Sequence, residues 1–224
     1  MSLRISESFV APQGEGYMAG IMTLFVRVAG CNFYLDNPSH PCAYCDTGYA
    51  WNLSKGKEMT LDEVAQNIDI ICMQYGLNHV SFTGGEPLIY EDIKELIYWK
   101  SRKYNLTVET NGSISIWKSH CIWSMDIKTS GSGNSQYNRY ENIDLLEAKD
   151  QLKFVICDQD DFEFARSIVR PRFILANIVF QPSWKQVSHK DLIGWVKNDK
   201  DLAGKVRIGG QYHKYWYPGR KKGV

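Results

Sequence analysis

The sequence has almost no net charge and no long hydrophobic run. Its 26 Lys and Arg residues nearly balance 25 Asp and Glu residues, which leaves a formal net charge of +1. Broad electrostatic attraction to nucleic acid or to a membrane surface is therefore not expected. No stretch approaches the length of a membrane span, and the opening segment MSLRISESFVAPQGEG lacks the apolar run of a signal peptide. These absences favour a cytoplasmic protein with reduced thiols and no direct nucleic-acid or membrane partner.

The chain also lacks internal repeats, low-complexity runs and linkers rich in Gly and Ser. Its 224 residues fit one domain with a sizeable core. The composition, 44% hydrophobic and 23% charged, is that of an ordinary globular protein. We therefore expect a single domain over residues 1–224.

Strand-like and helix-like segments alternate along the chain. MTLFVRVAG at 22–30 is typical of a strand, and Thr60 with Glu63 three residues later forms a capping box in front of an amphipathic helix. Roughly six strand–loop units predict a parallel sheet with crossover helices. Because six units are too few for a complete eight-unit barrel, we expect an α/β fold, an incomplete TIM-like barrel of about six parallel strands. Function in such barrels lies in the loops after the strand C-termini, where this sequence has the polar segments GCN…CDT, TGGEP, ETNG, DIKTSG and QPS.

Three of the six cysteines stand apart from the others. Cys31, Cys42 and Cys45 have the spacing C-x10-C-x2-C in a polar loop that contains Gly and Pro. The other three lie singly in apolar surroundings and are expected to be small buried hydrophobic residues; they are Cys72, Cys121 and Cys157. Without signs of export, metal binding is a better interpretation of the group than disulfide formation.

Two metal sites fit the three cysteines. One is a structural zinc site with His40 as the fourth ligand. The other is a four-iron cluster in which the protein holds three irons and the fourth is open to a small molecule. The triad alone does not distinguish them. TGGEP at the end of the next strand favours the cluster, because two adjacent glycines let the main chain approach a polar ligand closely.

Two charged residues upstream also suggest a ligand. Arg27 interrupts the apolar strand FVRVA, where a charge must be paired. It could form a structural ion pair or hold a substrate carboxylate in the bidentate geometry that suits guanidinium. Glu15, in PQGEG, could accept hydrogen bonds from paired N–H donors or lie in a solvated loop.

Taken together, these segments resemble the radical S-adenosylmethionine superfamily, whose usual cysteine spacing is C-x3-C-x2-C. Expanded first gaps occur in its family of 7-carboxy-7-deazaguanine synthases. PQGEG at 12–16, FVRVAGCN at 25–32, CDT at 45–47 and QYHK at 211–214 resemble segments of that family. The resemblance extends from residue 5 to 224, with departures at Pro12 and at DIK in 126–128, where Ser-Pro-Lys is commoner.

The resemblance implies an activity and a set of cofactors. The activity is conversion of 6-carboxy-5,6,7,8-tetrahydropterin to 7-carboxy-7-deazaguanine by ring contraction with loss of ammonia, in 7-deazapurine (queuosine-type) biosynthesis. It implies a 4Fe-4S cluster on Cys31, Cys42 and Cys45 that cleaves S-adenosyl-L-methionine to a 5′-deoxyadenosyl radical. It also implies Mg²⁺ on the hydroxyl of Thr47, an electron donor such as flavodoxin or ferredoxin, and a homodimer.

The resemblance further implies which residues contact each ligand. S-adenosylmethionine would be bound by Gly84, Gly85, Glu86, Asp126, Ile127, Lys128, Gln181, Pro182, Ser183 and Trp184. The pterin would be bound by Pro12, Gln13, Gly14, Glu15, Arg27, Thr83, His213 and Val224. For Val224, the tail YPGRKKGV would fold over the barrel mouth so that the terminal carboxylate accepts hydrogen bonds from the pterin.

Two other functions stay open at this point. A glycyl-radical-enzyme activase would need a surface that receives a protein loop, whereas Arg27 and PQGEG favour a small anionic substrate. A zinc-stabilised binding module would have no enzymatic activity. Iron and sulfide, as against zinc, in the purified protein would separate the second alternative from the enzyme.

Overall fold

One mixed sheet runs through the molecule, a computed structural model that describes residues 1–220 and 222–224. Within these residues the strands are β1 (Ser2–Pro12), β2 (Met22–Val28), β3 (Lys57–Thr60), β4 (His79–Gly84), β5 (Asn105–Thr110), β6 (Ile122–Ile127), β7 (Gln151–Ile156), β8 (Asn177–Pro182) and β9 (Val206–Ile208). The helices are α1 (Asn32–Asp36), α2 (Leu61–Tyr75), α3 (Ile93–Lys100), α4 (Gln159–Val169), α5 (His189–Lys197) and α6 (His213–Trp216).

The sheet has the order β3-β1-β2-β4-β5-β6-β7-β8-β9. From β2 to β9 every neighbouring pair is parallel, which gives seven parallel strands in an open sheet. The predicted incomplete barrel is thus confirmed, with one parallel strand more than the expected six. The difference from the expected number is small, because one of the seven strands, β9, is only three residues long.

The two antiparallel strands at one edge were not predicted. β1 pairs with β2, with Pro12 opposite Met22, and β3 pairs with β1. PQGEG therefore does not simply precede the first strand but starts the turn between β1 and β2. In that turn the Gln13 amide donates to the carbonyl of Ile21 at 2.8 Å, and the Gly20 amide donates to the carbonyl of Gln13 at 2.8 Å.

Helix α2 forms for the reasons that the sequence indicates. The Thr60 hydroxyl accepts from the Glu63 amide at 3.2 Å, and the Glu63 carboxylate accepts from the Thr60 amide at 2.7 Å. Such a cap stabilises a helix by about 1 kcal/mol. Gly76 ends the helix in the left-handed conformation, with φ of 65°, and its apolar face is buried.

Residues alternate between two faces along the parallel strands. One face carries the apolar side chains that pack under the helices, such as Val26, Phe82 and Phe154. The other face is the concave side of the sheet, where Arg27 and Lys153 point inward among polar neighbours. Within the described residues, no helix is both long and apolar enough to span a membrane. The fold therefore places a row of charged and polar side chains inside the partial barrel.

Candidate active site

The concave side of the sheet encloses a cavity that is partly open to solvent. The three cysteines of the loop after β2 line one side. The other side is formed by residues at the C-terminal ends of the strands: Thr83, Gly84, Gly85, Glu109, Asp126, Lys128, Lys153, Gln181 and Ser183. The structure thus brings together residues that are up to 150 positions apart in the chain.

The cysteine loop begins where β2 ends. Cys31 follows the strand after Ala29 and Gly30 and directly precedes α1, and its amide donates to the carbonyl of Trp51 at 3.0 Å. Cys42 and Cys45 face the same cavity, and the Cys45 amide donates to the carbonyl of Cys42 at 3.1 Å. All three thiols are free. The predicted triad therefore lies together in space, on the wall of one cavity.

The three sulfurs are not gathered around the position of one zinc ion. Sulfurs on one tetrahedral zinc lie about 3.8 Å apart, given bonds of ~2.3 Å. Among the described residues, three ligand atoms of His, Cys, Asp or Glu come within 4.8 Å of one another only at Glu15, Asp46 and His213. His40, the fourth ligand of the zinc alternative, is exposed and does not line the cavity.

Burial affects the ionisation of all three thiols. It raises the pKa of Cys31 to about 11 and raises the pKa values of Cys42 and Cys45. At neutral pH the thiols are therefore protonated on their own, and a bound metal cation would have to displace the protons to give thiolate ligands. Side-chain N–H groups already point at two of the sulfurs: Trp51 Nε1 lies 3.2 Å from Cys45 Sγ, and Asn134 Nδ2 lies 3.7 Å from Cys42 Sγ.

The two glycines after β4 leave no room for a side chain. A Cβ on Gly85 would lie 1.9 Å from the carbonyl oxygen of Gly30, and a Cβ on Gly84 would lie 2.2 Å from that of Val28. Gly84 also has φ of 130°, a conformation that only glycine adopts readily. The main chain of this turn can consequently approach both the cysteine loop and a ligand in the cavity.

A chain of buried charges crosses the cavity wall. Lys128 donates to Asp126 at 2.8 Å, Lys153 lies 3.2 Å from the other oxygen of Asp126, and Lys153 donates to Glu15 at 2.7 Å. Burial by itself would raise the pKa of Asp126, but the two lysines hold that pKa below its usual range. Each charge is thus compensated, which makes a charged wall tolerable inside the fold.

Gln181 is a buried side chain without a partner. It is fully buried at the end of β8, and neither its amide oxygen nor its amide nitrogen has a hydrogen-bond partner among the described residues. Because buried amides are normally satisfied, a polar ligand in the cavity would account for this orientation. The hydroxyl of Tyr44, which sequence analysis did not single out, is buried and unpartnered in the same cavity.

A second cavity adjoins the first. Its wall includes predicted pterin contacts from five parts of the chain: Gln13, Gly14, Glu15, Arg27, Thr83, His213 and Val224. Glu15, Asp46, Thr83 and Glu109 line both cavities. A molecule in one cavity would therefore lie next to a molecule in the other.

Arg27 is held on one edge only. Its Nε donates to Glu7 Oε1 at 2.9 Å, and the Tyr49 hydroxyl donates to the same oxygen at 2.7 Å. The rings of Phe9 and Tyr49 lie 5.5 and 5.8 Å from the guanidinium carbon. The hydrogen bonds found among the described residues use only Nε, so the outer Nη groups remain for a ligand. The structure thus contains both the ion pair and the free fork that the sequence suggested as alternatives.

Thr47 lies on this second cavity beside an acidic group. Its hydroxyl is 3.2 Å from Asp46 Oδ1, and the other Asp46 oxygen lies 3.3 Å from His213 Nε2 and 3.0 Å from Lys214 Nζ. Burial opposes ionisation of Asp46, yet its hydrogen bond with His213 and the charge of Lys214 keep its pKa below the usual range. Hydroxyl and carboxylate oxygens are the ligands that Mg²⁺ prefers, so the donor set fits the predicted ion.

Sequence reasoning missed Glu109, which lies between the cavities. Its carboxylate accepts from Gln13 Nε2 at 2.8 Å, Ser81 Oγ at 3.1 Å and Thr83 Oγ1 at 2.6 Å. The segment ETNG was recognised as the end of a strand, but its glutamate was not assigned. One signal could have identified Glu109. Because Leu106 and Val108 are apolar and buried in this strand, Glu109 must point to the opposite face of the sheet.

Five of the residues expected at the ligands do not line either cavity: Pro12, Glu86, Ile127, Pro182 and Trp184. Pro12 pairs with Met22 at the end of β1. The Glu86 carboxylate is fully buried and accepts from the amides of Leu88 and Asn111 and from the Thr110 hydroxyl, so it supports the turn.

The other three of these residues have packing partners instead of cavity contacts. Ile127 belongs to the hydrophobic core, and Pro182 is buried at the last pair of the β7–β8 ladder. Trp184 packs edge-on against Tyr215, with ring centroids 4.8 Å apart. Their contacts with S-adenosylmethionine stay predictions.

Three cysteines and the two glycines of a Gly-Gly-Glu-Pro turn on one cavity of an incomplete barrel are typical of a radical S-adenosylmethionine enzyme. In agreement, the sequence profile of the Radical SAM superfamily matches residues 26–118, which contain the three cysteines and that turn. The crystal structure of QueE from Escherichia coli has the same fold, with a TM-score of 0.67 at 20% sequence identity over 95% of each chain.

Full-length relatives identify the family within this class. The chain is 31% identical to the 7-carboxy-7-deazaguanine synthase of Koribacter versatilis, covering 99% of this chain and 100% of the relative. It is 32% identical to that of Clostridium acetobutylicum, covering 100% of both. The chain belongs to the 7-carboxy-7-deazaguanine synthase family.

Proposed function

We propose that this protein converts 6-carboxy-5,6,7,8-tetrahydropterin to 7-carboxy-7-deazaguanine by ring contraction with loss of ammonia, in 7-deazapurine biosynthesis. The observation that carries the proposal is the pair of joined cavities. One is lined by the cysteine triad and the other by Arg27, and Thr83 and Glu109 belong to both. A cofactor bound in the first cavity would therefore lie beside a carboxylated substrate bound in the second.

The first cavity would hold the cluster and S-adenosyl-L-methionine. Cys31, Cys42 and Cys45 are the thiolates, and the cluster when bound supplies the electron that cleaves the cofactor. The main chain of Gly85 would accept from the cofactor's ammonium group, because no side chain separates it from the cavity. The unpartnered amide of Gln181 would complete its hydrogen bonds with the cofactor.

The second cavity would orient the pterin. The free Nη groups of Arg27 suit the substrate carboxylate in a bidentate pair. Glu15 would accept from the N–H groups of the pyrimidine ring, with Gln13 beside it. Glu109 is fixed by three donors within reach of both cavities, so it would act on the reacting side of the substrate rather than in its recognition.

Mg²⁺ is a cofactor of this reaction, and Thr47 is its proposed protein ligand. The Thr47 hydroxyl opens on the cavity that contains Arg27, so one ion there could contact both the protein and a substrate carboxylate. Asp46 is 3.2 Å from that hydroxyl and would orient it or a water on the ion. Mg²⁺ commonly retains several waters, which makes a single direct protein ligand reasonable.

The two alternatives fit the structure less well. A glycyl-radical-enzyme activase must admit a loop of another protein, but the second cavity is bounded by the chain's own end at Val224. A zinc-stabilised module would not account for three features: the unpartnered amide of Gln181, the free edge of Arg27 and the charged cavity wall. These features favour a small, anionic substrate.

The partners and the compartment are part of the proposal. An electron donor such as flavodoxin or ferredoxin would reduce the cluster, and the six free thiols suit a reducing cytoplasm. A homodimer is supported by exposed apolar side chains on two helices that pack together: Ile70 and Met73 on α2, and Tyr98 and Trp99 on α3. Sedimentation equilibrium would measure that state directly.

Anaerobic reconstitution tests the proposed function. The wild-type protein should bind four irons and four sulfides and form 7-carboxy-7-deazaguanine with reductant and Mg²⁺. Cys45→Ala should lose the cluster, whereas Cys121→Ala, at a fully buried core thiol, should keep it. Zinc in place of iron would contradict the proposal, and so would a Cys121→Ala variant that loses iron as completely as Cys45→Ala.

A further inference from the structure

Trp51 directs its indole N–H at a cysteine sulfur. Its Nε1 donates to Cys45 Sγ at 3.2 Å. Its amide donates to the carbonyl of Gly48 at 3.3 Å, its carbonyl accepts from the amide of Cys31, and its ring stacks on Tyr34 with centroids 5.6 Å apart. Main chain and ring face are therefore both fixed, and the direction of the N–H group follows from them.

This hydrogen bond has a definite polarity. An indole nitrogen can only donate, so Cys45 Sγ must be the acceptor. A donor at a thiolate ligand withdraws electron density from the sulfur and favours the more negative, reduced form of a cluster. Hydrogen bonds to the sulfurs are accordingly among the features that set cluster reduction potentials.

The other side-chain donor at the triad is weaker. Asn134 Nδ2 lies 3.7 Å from Cys42 Sγ and also donates to the carbonyls of Ser132 at 3.3 Å and His40 at 3.4 Å. Its two N–H groups are thus shared among three acceptors. Cys31 receives backbone N–H groups from the start of α1, which no substitution removes simply. Trp51 is consequently the strongest contact with the triad that a side-chain change can delete.

We propose that the indole N–H of Trp51 raises the reduction potential of the cluster and so lets a physiological one-electron donor reduce it. Trp51 acts through Cys45 and does not need to touch substrate, so it is a positioning residue for the electron-transfer step. In that step one electron passes from the donor to the cluster, with no proton or ligand exchanged. The inference rests on the proposed function, because Cys45 must ligate the cluster.

The test is a redox titration of Trp51→Phe, which keeps an aromatic ring against Tyr34 and removes the N–H group. Trp195→Phe is the matched control, since Trp195 on α5 also packs against an aromatic ring, that of Phe162, and lines neither cavity. Iron and sulfide are measured first, and the reduced cluster is then followed by electron paramagnetic resonance with neither S-adenosylmethionine nor pterin present. At a fixed potential the reduced-to-oxidised ratio of Trp51→Phe should fall at least threefold, a shift of about 30 mV to more negative potential at 59 mV per tenfold change.

The outcomes separate the two proposals. A fully loaded Trp51→Phe with the potential of the wild type overturns the role of Trp51, whereas a wild-type protein that binds no cluster contradicts the proposed function instead. If Trp51→Phe fails to load, benzothienylalanine at position 51 keeps the shape of the ring and replaces the N–H group with sulfur. The potential of that variant then decides: a more negative value supports the inference, and a wild-type value overturns it.

Discussion

Arg27 presents its charge to the second cavity because two side chains hold its other edge. Glu7 accepts from Nε at 2.9 Å, and Tyr49 donates to Glu7. Only 10% of the Arg27 side chain is exposed. Packing, as well as electrostatics, therefore sets the orientation of its guanidinium group. Arg27 is thereby preorganised for a planar carboxylate, which lowers the entropy that substrate binding would otherwise lose.

Removal of Glu7 should therefore weaken substrate binding without affecting chemistry. In Glu7→Ala the guanidinium loses a charge-assisted hydrogen bond worth about 1.5–3 kcal/mol, and we expect KM for the tetrahydropterin to rise roughly tenfold or more. The turnover at saturation and the iron content should stay near those of the wild type. Glu58→Ala is the control, because Glu58 pairs with Arg4 on the same side of the sheet in an exposed ion pair. An unchanged KM would remove Glu7 from this role.

Thr47 should determine how the enzyme responds to magnesium. Thr47→Ala removes the hydroxyl oxygen that opens on the Arg27 cavity. We expect the Mg²⁺ concentration for half-maximal activity to rise by about tenfold, equivalent to ~1.4 kcal/mol, with cluster content unchanged. Thr60→Ala, at the exposed cap of α2, serves as the control. A Thr47→Ala variant with the wild-type magnesium response would place the ion elsewhere.

At this scale the sequence identifies residues better than it identifies their partners. Arg27 is conspicuous because a charge interrupts an apolar strand. The same pattern in QLKFVI could have indicated Lys153, which joins Asp126 to Glu15 but was not singled out. Glu7, the partner of Arg27, lies 20 residues earlier in a strand that was not predicted. Such a partner becomes visible only when the register of β1 on β2 is known, which depends on pairing between strands and not on local composition.

Among the structural elements, the turn after β4 is the most constrained. The Gly85 amide donates to the carbonyl of Val28 at 3.1 Å, and the Glu86 amide donates to that of Gly30 at 2.8 Å. The turn thus fastens the end of β4 to the end of β2, directly before Cys31. The buried Glu86 carboxylate extends the connection to Thr110 and Asn111 at the end of β5. The ends of β2, β4 and β5 are thus hydrogen-bonded to one another where the cysteine loop begins.

A methyl group at Gly85 should disrupt this junction. The added Cβ would lie 1.9 Å from the carbonyl oxygen of Gly30, so β2 and β4 must separate. We expect Gly85→Ala to lower the free energy of unfolding by roughly 3 kcal/mol or more and to impair cluster loading. Gly194→Ala is the control: a Cβ there meets nothing within 4 Å, and its place inside α5 predicts a gain of up to about 1 kcal/mol. Urea denaturation of both apo-proteins measures the difference, and equal stability of Gly85→Ala and wild type would refute the steric argument.

Helices and strands are predicted well from the sequence where a segment has one clear hydrophobic periodicity. Helix α2 has an apolar face, a capping box and a terminal glycine, and its bounds agree with expectation. β1 was missed because SLRISESFVAP is rich in Ser and charge, although Leu3 and Ile5 are buried. Its strand form comes from pairing with β2 and β3, a tertiary contribution that overrides local propensity.

For the molecule as a whole, the order of the short polar segments along the chain indicated the fold and the site better than any single segment did. Parallel strands bring their C-terminal ends to one side, so polar segments spread over the chain were expected to converge, and the two joined cavities are where they do. What remained beyond sequence reasoning was which inward residues share a wall. Glu109 lines both cavities, whereas Trp184 packs against Tyr215 and lines neither.

The chain end gives the last prediction. Val224 lines the second cavity with Arg27, Glu15 and His213, and Lys222 lies 5.0 Å from the centroid of the Tyr49 ring. The terminal carboxylate, ionised at neutral pH, would therefore close the pterin site and help to exclude water from a radical reaction. Deletion of residues 222–224 should raise KM for the tetrahydropterin about 10- to 100-fold, since hydrogen bonds to a charged group are worth about 1.5–3 kcal/mol.

Extension of the chain beyond Val224 separates the carboxylate from the length of the tail. Two added glycines leave Lys222 and Val224 in place but move the terminal charge, so this variant should show a similar rise in KM. Lys222→Ala alone, which removes only the contact with Tyr49, should have a smaller effect. In all three proteins uncoupled cleavage of S-adenosylmethionine should persist with normal iron content, because the cysteine cavity is untouched. Steady-state kinetics of the set would decide the matter: wild-type KM in both the deletion and the extension would mean that the terminal carboxylate does not bind the pterin.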